Sequence, residues 1–163
     1  MSYFLDAEEI LNVAIEIEKR GEEFYLGFAS RTHDAKVKEL FGTLALEEVK
    51  HERAFKEMLK ATAAKKTLKI ELEDEKEGEY LKSLGGVLLF PNKPGEEKAF
   101  MKIHDPQSAV RFALEMERDS VLLYEGLLEV TKDAAAREQY EKIIAEEKSH
   151  IIRLTALLPE QSV

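Results

Sequence analysis

Two short stretches, EEVKH at 47–51 and EEKSH at 146–150, each place a glutamate three residues before a histidine: Glu48 with His51, and Glu147 with His150. Residues three apart lie on one face of a helix, so both side chains of such a pair can reach the same point. Around the first stretch, Val37, Phe41, Leu44, Glu48, His51, Phe55 and Met58 recur at alternating steps of four and three, the period of one helix face. A glutamate and a histidine therefore occupy positions where a helix carries its core. One Glu-x-x-His on a charged helix is an ordinary accident; two on inward stripes call for an explanation.

The remaining helical segments supply it. The stripe around the second stretch is Ala136, Tyr140, Ile143, Glu147, His150, Leu154 and Leu157. Two more stripes run Leu11, Ala14, Glu18, Gly21, Tyr25, Phe28 and Val110, Ala113, Glu117, Ser120, Tyr124, Leu127. Each of the four segments has one inward glutamate, and no lysine or arginine falls on any stripe. Shifting the chain by 99 residues lays 10–59 on 109–158 without a gap, with thirteen of fifty positions identical, among them Glu18, Tyr25, Asp34, Glu47, Glu48 and His51. Glu18 precedes Glu48 by 30 residues and Glu117 precedes Glu147 by 30, so a hairpin turn midway brings each pair to a matching height.

Four carboxylates converging in one core cannot all stay ionised without compensation, since each buried, unpaired ion costs several kcal/mol and mutual repulsion adds to that. Two divalent cations would neutralise the charge and satisfy the lone pairs. Two Glu-x-x-His pairs plus one glutamate from each remaining helix form a dinuclear carboxylate arrangement for iron or manganese. Carboxylate and imidazole ligands without thiolate favour those metals over a structural zinc site, although ligand type alone leaves zinc open.

The elements that must position these groups are legible as two helical hairpins in one all-α domain spanning 1–163, an antiparallel four-helix bundle. Asp6 is placed to cap a first helix running to about Ser30, with Glu9 at capping-box spacing. RTHD leads to a second helix, about Ala35 to Ala63. Asp105 and Pro106 announce a third, reaching about Val130, and TKDA leads to a fourth, Ala134 to about Leu158. The first hairpin thus covers 6–63 and the second 105–158. The crossover, 64–104, contains an alternating TLKIELE piece, an acidic run EDEKEGEY expected on the surface, and SLGGVLLFPNKPGEE. Its glycines and prolines predict no continuous helix there, and its length lets the second and third helices run parallel. GGVLLF is apolar enough to cover a bundle end or a subunit contact.

At this point the residues resemble a known family. EKRGEEFY (18–25) and ERDSVLLY (117–124), with EEVKH and EEKSH, are similar to the ferritin-like di-iron proteins, specifically the rubrerythrin group, over about 100 residues of the two hairpins. The resemblance implies Glu18, Glu48, His51, Glu117, Glu147 and His150 as ligands of two irons. It also implies Tyr25 and Tyr124 as partners hydrogen-bonded to ligand carboxylates, and a homodimer. The activity it implies is reduction of hydrogen peroxide or dioxygen by the ferrous pair. The chain departs from the family pattern twice. Rubrerythrins usually carry a further glutamate where Ser120 stands. They also add a four-cysteine rubredoxin module, whereas this chain has no cysteine, so electrons are expected from a separate donor protein such as rubredoxin.

The alternatives are a ferrous-iron binding or oxidation protein without peroxide turnover, and a structural bundle with a relic site. Glu47 and Glu146 point about 100° from the inward stripe and read as surface charges or supporting partners rather than ligands; Glu16 and Glu115 read as surface ion-pairing residues. His33 and His104 read as ordinary polar residues, Tyr140 as core and NKPGEE as a turn. The lack of cysteine excludes disulfides and thiolate catalysis, and the net charge of −9 argues against nucleic acid or an anionic membrane as partner. The N-terminal MSYFLDAEEI lacks a basic region followed by an apolar run, so no signal peptide is expected, and no apolar run approaches the ~20 residues that span a bilayer. A cytoplasmic location is expected.

Overall fold

The structure, a computed structural model, describes residues 3–66, 69–89 and 99–159. The elements follow in the order β1 (Tyr3–Asp6), α1 (Ala7–Arg31), α2 (Ala35–Lys65), β2 (Lys69–Leu72), α3 (Glu75–Leu89), a single 3-10 turn (Ala99–Lys102), α4 (Pro106–Val130) and α5 (Ala134–Thr155). The four long helices start at aspartates, Asp6 and Asp105 as the sequence predicts and Asp34 and Asp133 besides. Asp6 accepts from the backbone N–H of Glu8 and Glu9 at 2.8 and 3.2 Å, and Asp34 from those of Lys36 and Val37, both at 3.0 Å. Asp105 accepts from Ser108 and Asp133 from Ala136, at 2.8 and 2.9 Å. These caps satisfy amide donors that the first turn cannot.

β1 and β2 form a two-stranded antiparallel ribbon, with Leu5 opposite Ile70, which ties the start of α1 to the end of α2. At the opposite end, Arg31 donates to the carbonyl oxygen of Ile103 at 2.9 Å, joining the end of α1 to the approach of α4. These ties make α1 antiparallel to both α2 and α4, so that α2 and α4 run parallel as the crossover length predicts.

The crossover corrects one expectation. Its acidic run is exposed at Glu73, Asp74, Glu75 and Glu79 as expected, but α3 is a fifteen-residue helix where glycine content predicts none. Asp74 caps it by accepting from the N–H of Glu77 at 3.0 Å. The glycines that count against it, by about 1 kcal/mol each in a helix interior, are what let it pack closely. A Cβ at Gly85 would meet Val13 Cγ1 at 3.1 Å, and one at Gly78 would meet Leu72 Cδ1 at 2.8 Å. Leu81, 1 % exposed, anchors the helix in the core. NKPGEE, the TL of TLKIELE and the end of GGVLLF lie outside the described residues.

Apolar packing separates into two clusters. One, at the ribbon end, holds Leu5, Leu11, Phe55, Leu81, Tyr124 and Tyr140. The other, at the far end, is built on Phe24, Tyr25, Phe28, Phe41 and Leu44, with the Tyr25 and Phe41 rings edge to face at 5.0 Å. Between them the middle of the bundle is polar.

Candidate metal centre

That middle layer contains Glu18, Glu48, His51, Glu117, Glu147 and His150, none more than 4 % exposed. The four long helices contribute one glutamate each, α2 and α5 a histidine besides. Both histidines aim Nδ1 inward. His51 Nδ1 lies 3.0 Å from Glu147, 3.4 Å from Glu18 and 3.5 Å from Glu48. His150 Nδ1 lies 3.0 Å from Glu147 and 3.3 Å from both Glu48 and Glu117. The imidazole rings stack 5.5 Å apart, 18° from parallel.

The donors fall into two groups of four. Glu18, Glu48, His51 and Glu147 offer one ligand atom each within 4.8 Å of one another, and so do Glu48, Glu117, Glu147 and His150. Glu48 and Glu147 belong to both groups, so the layer offers donors for two ions, with these two carboxylates common to both sets. Glu48 Oε1, Glu147 Oε2 and His51 Nδ1 are buried without a hydrogen-bond partner of good geometry, which is costly for protein alone and fits atoms placed for a cation.

The terminal carboxylates are held across the bundle. Tyr25 on α1 donates its hydroxyl to Glu117 on α4, and Tyr124 on α4 donates to Glu18 on α1. Both tyrosines are fully buried. Burial, then the nearby glutamates, pushes both phenol pKa values well up, so the hydroxyls keep their protons and act as donors.

Without cations the layer holds protons. Burial first, then Glu147, Glu18 and Glu117, pushes the Glu48 pKa well above the usual carboxylate range. Burial, then Glu147, raises Glu117 to about 8 despite His150. For the histidines burial opposes the charge but the surrounding carboxylates outweigh it, raising His51 strongly and His150 to about 12. Protons thus do part of what a metal would do more completely.

The outer nitrogens of the histidines face the two glutamates that precede Glu48 and Glu147. His51 Nε2 hydrogen-bonds Glu146 at 2.7 Å, whereas His150 Nε2 lies 3.1 Å from Glu47 without hydrogen-bond geometry. Arg153 donates to the same Glu47 oxygen. The repeat at 99 residues is the signal that marks Glu47 and Glu146; Arg153 has no such signal, because its counterpart is Ala54. Glu16 is a surface residue, paired with Lys19 at 3.0 Å, and Glu115, His33 and His104 are exposed. Tyr140 is core, 2 % exposed, its ring 6.0 Å from Phe55.

Ser120 and its repeat counterpart Gly21 both line a cavity of about 30 Å³, together with Glu18, Arg20, Tyr25, Glu48 and Glu117. A Cβ at Gly21 would sit 3.2 Å from Glu48 Cγ, so the glycine leaves that carboxylate its room. A larger concavity, about 980 Å³, opens at the ribbon end over Leu11, Met58 and Tyr140 and includes none of the six central residues.

Two helical hairpins with a carboxylate–histidine layer at mid-height define the ferritin-like carboxylate bundles. A family model for rubrerythrin matches residues 9–158, and the chain belongs to the rubrerythrin family. Among solved structures it is similar to one described as a ferritin-like diiron-carboxylate protein from Thermotoga maritima, with 23 % identity over 95 % of each chain and a TM-score of 0.65. At that identity the likeness concerns the fold. No curated protein matches this chain. No described helix is long and apolar enough to cross a membrane.

Proposed function

We propose that the protein binds two iron ions in this layer and reduces hydrogen peroxide, with dioxygen as the alternative oxidant, using electrons from a separate donor protein. The observation that carries the reading is the pair of four-donor groups sharing Glu48 and Glu147, buried and without a lysine or arginine partner among the described residues. In this reading Glu18 and His51 would hold one ion and Glu117 and His150 the other, with Glu48 and Glu147 available to both. Bound ferrous iron would supply two electrons to an O–O bond, and two protons complete the conversion of one peroxide to two waters.

The chain's own groups bound the substrate. A cavity of about 30 Å³ beside Glu48 and Glu117 exceeds the ~10–15 Å³ that admits one water, so it has room for a molecule of the size of peroxide. Tyr124 and Tyr25 keep Glu18 and Glu117 oriented through their hydroxyl protons.

A second reading, ferrous-iron binding and oxidation without peroxide turnover, draws on Ser120: a hydroxyl stands beside the cavity where the family usually has another carboxylate. One experiment separates the two. The protein is loaded anaerobically with two equivalents of ferrous iron and then oxidised with peroxide or with air. Faster oxidation by peroxide supports the peroxidase reading; faster aerobic oxidation with retained ferric product overturns it in favour of iron handling. If the missing carboxylate limits turnover, Ser120→Glu should raise the peroxide rate specifically; an unchanged rate removes that argument.

A further inference from the structure

The two halves of the layer are near copies, yet the carboxylates behind their histidines carry different charge. On one side His51 Nε2 donates to Glu146 at 2.7 Å. Among the described residues Glu146 has no ion-pair partner apart from His51, and its side chain is 43 % exposed. On the other side Glu47, 28 % exposed, is bound by Arg153 and lies 3.1 Å from His150 Nε2 without hydrogen-bond geometry. The repeat relates Glu146 to Glu47, but it relates Arg153 to Ala54. One histidine is therefore backed by a free carboxylate and the other by a carboxylate already neutralised by a guanidinium.

A carboxylate behind a ligating histidine fixes the ring and raises its basicity, and its negative charge attracts the ion beyond. Pairing that carboxylate with arginine cancels most of both electrostatic effects. The ligands themselves do not offset the difference. Each side has one terminal glutamate held by one buried tyrosine, and the two remaining glutamates are shared.

We infer that Glu146 and Glu47 are positioning residues of unequal strength, so that the first divalent ion enters the Glu18–His51 side and Arg153 sets this order. The inference rests on the metal-binding reading above. It assigns Arg153, which touches none of the six central residues in the interactions described, a part in ranking the two metal positions.

The test uses cobalt(II) as the probe. Metal-free protein is given one equivalent and crystallised, and anomalous scattering locates the ion. Cobalt concentrated between Glu18 and His51 is the expected result; equal occupancy, or preference for the Glu117–His150 side, overturns the inference. In calorimetric titrations Arg153→Ala should tighten the weaker binding step and Glu146→Gln should weaken the stronger one, each by about tenfold, the lower end of effects seen when such outer partners are changed. Moving the guanidinium in the double variant Arg153→Ala/Ala54→Arg should reverse the order of filling. Two binding steps unchanged in Arg153→Ala and Glu146→Gln would overturn the ranking while leaving metal binding intact. Failure of the unaltered protein to bind cobalt or iron at all would overturn the metal reading, and this inference with it.

Discussion

Tyr124 on α4 donates its hydroxyl to Glu18 on α1, across the bundle and from outside the polar layer, while Tyr25 on α1 makes the reciprocal bond to Glu117 on α4. The pair of crossed bonds couples the two hairpins through the candidate metal centre. Tyr124→Phe removes a donor from a buried carboxylate and adds nothing that can replace it. Such a loss costs about 1–3 kcal/mol, so thermal unfolding of the metal-free variant should begin several degrees lower. Two equivalents of metal should still bind, more weakly. Unaltered unfolding and unaltered affinity together would show that the bond contributes nothing.

Glu48 is the residue where stability and metal binding pull apart most clearly. It belongs to both donor groups, and burial and its neighbours favour its neutral form. Glu48→Gln supplies a neutral side chain of the same shape. The metal-free variant should unfold at a higher temperature than the parent at neutral pH, because folding forces Glu48 to take up a proton that glutamine does not need. The same variant should bind no more than one equivalent of tightly held metal. A lower unfolding temperature, or retention of two equivalents, would contradict a part for Glu48 in both donor groups.

The protons stored in the layer give the metal-free protein a defined pH dependence. Glu117 rises from 4.5 to about 8 on folding, so the stability it contributes is complete below pH 4.5 and is lost as pH passes through about 8. His150, raised from 6.5 to about 12, acts in the same direction, its contribution being complete below 6.5 and fading toward 12. Metal-free protein should therefore lose stability between about pH 5 and 8. Metal competes with these protons, so the stabilisation it adds should grow over the same interval. Unfolding temperatures with and without a chelator across this range measure both slopes, and parallel curves would count against proton–metal competition.

The degree to which the sequence foretold this structure follows from how locally each feature is encoded. Asp6, Asp34, Asp105 and Asp133 cap their helices through contacts two or three residues away, so the helix starts are readable from the chain. The convergence of Glu18, Glu48, Glu117 and Glu147 is not local, yet it is readable because the repeat writes one hairpin twice and hydrophobic period fixes the inward face. The helix α3 was hidden: Gly78 and Gly85 weaken it locally, and their value appears only against Leu72 and Val13, residues from other elements. Arg153 was hidden for a related reason. It breaks the repeat, and only the folded chain brings it to Glu47, 106 residues away.

The two repeated glycines make a last, paired prediction. Gly27 on α1 and Gly126 on α4 occupy equivalent places in the repeat, but their surroundings differ. A Cβ on Gly27 would meet nothing within 4 Å, whereas one on Gly126 would lie 2.5 Å from Leu81 Cδ2 of α3. Gly27→Ala should therefore stabilise the protein by up to about 1 kcal/mol, the helix preference of alanine over glycine. Gly126→Ala receives the same local gain but drives a methyl into Leu81, which is 1 % exposed and has little room to yield. Overpacking of this kind costs about 1–3 kcal/mol, enough to outweigh the helix gain, and should loosen α3 from α4 first. Hydrogen exchange should then show faster exchange of the α3 amides in Gly126→Ala while the amides around Glu48 and Glu147 stay protected. Stabilisation by both substitutions would mean that α3 does not rest on α4 as closely as Leu81 and Gly126 place it.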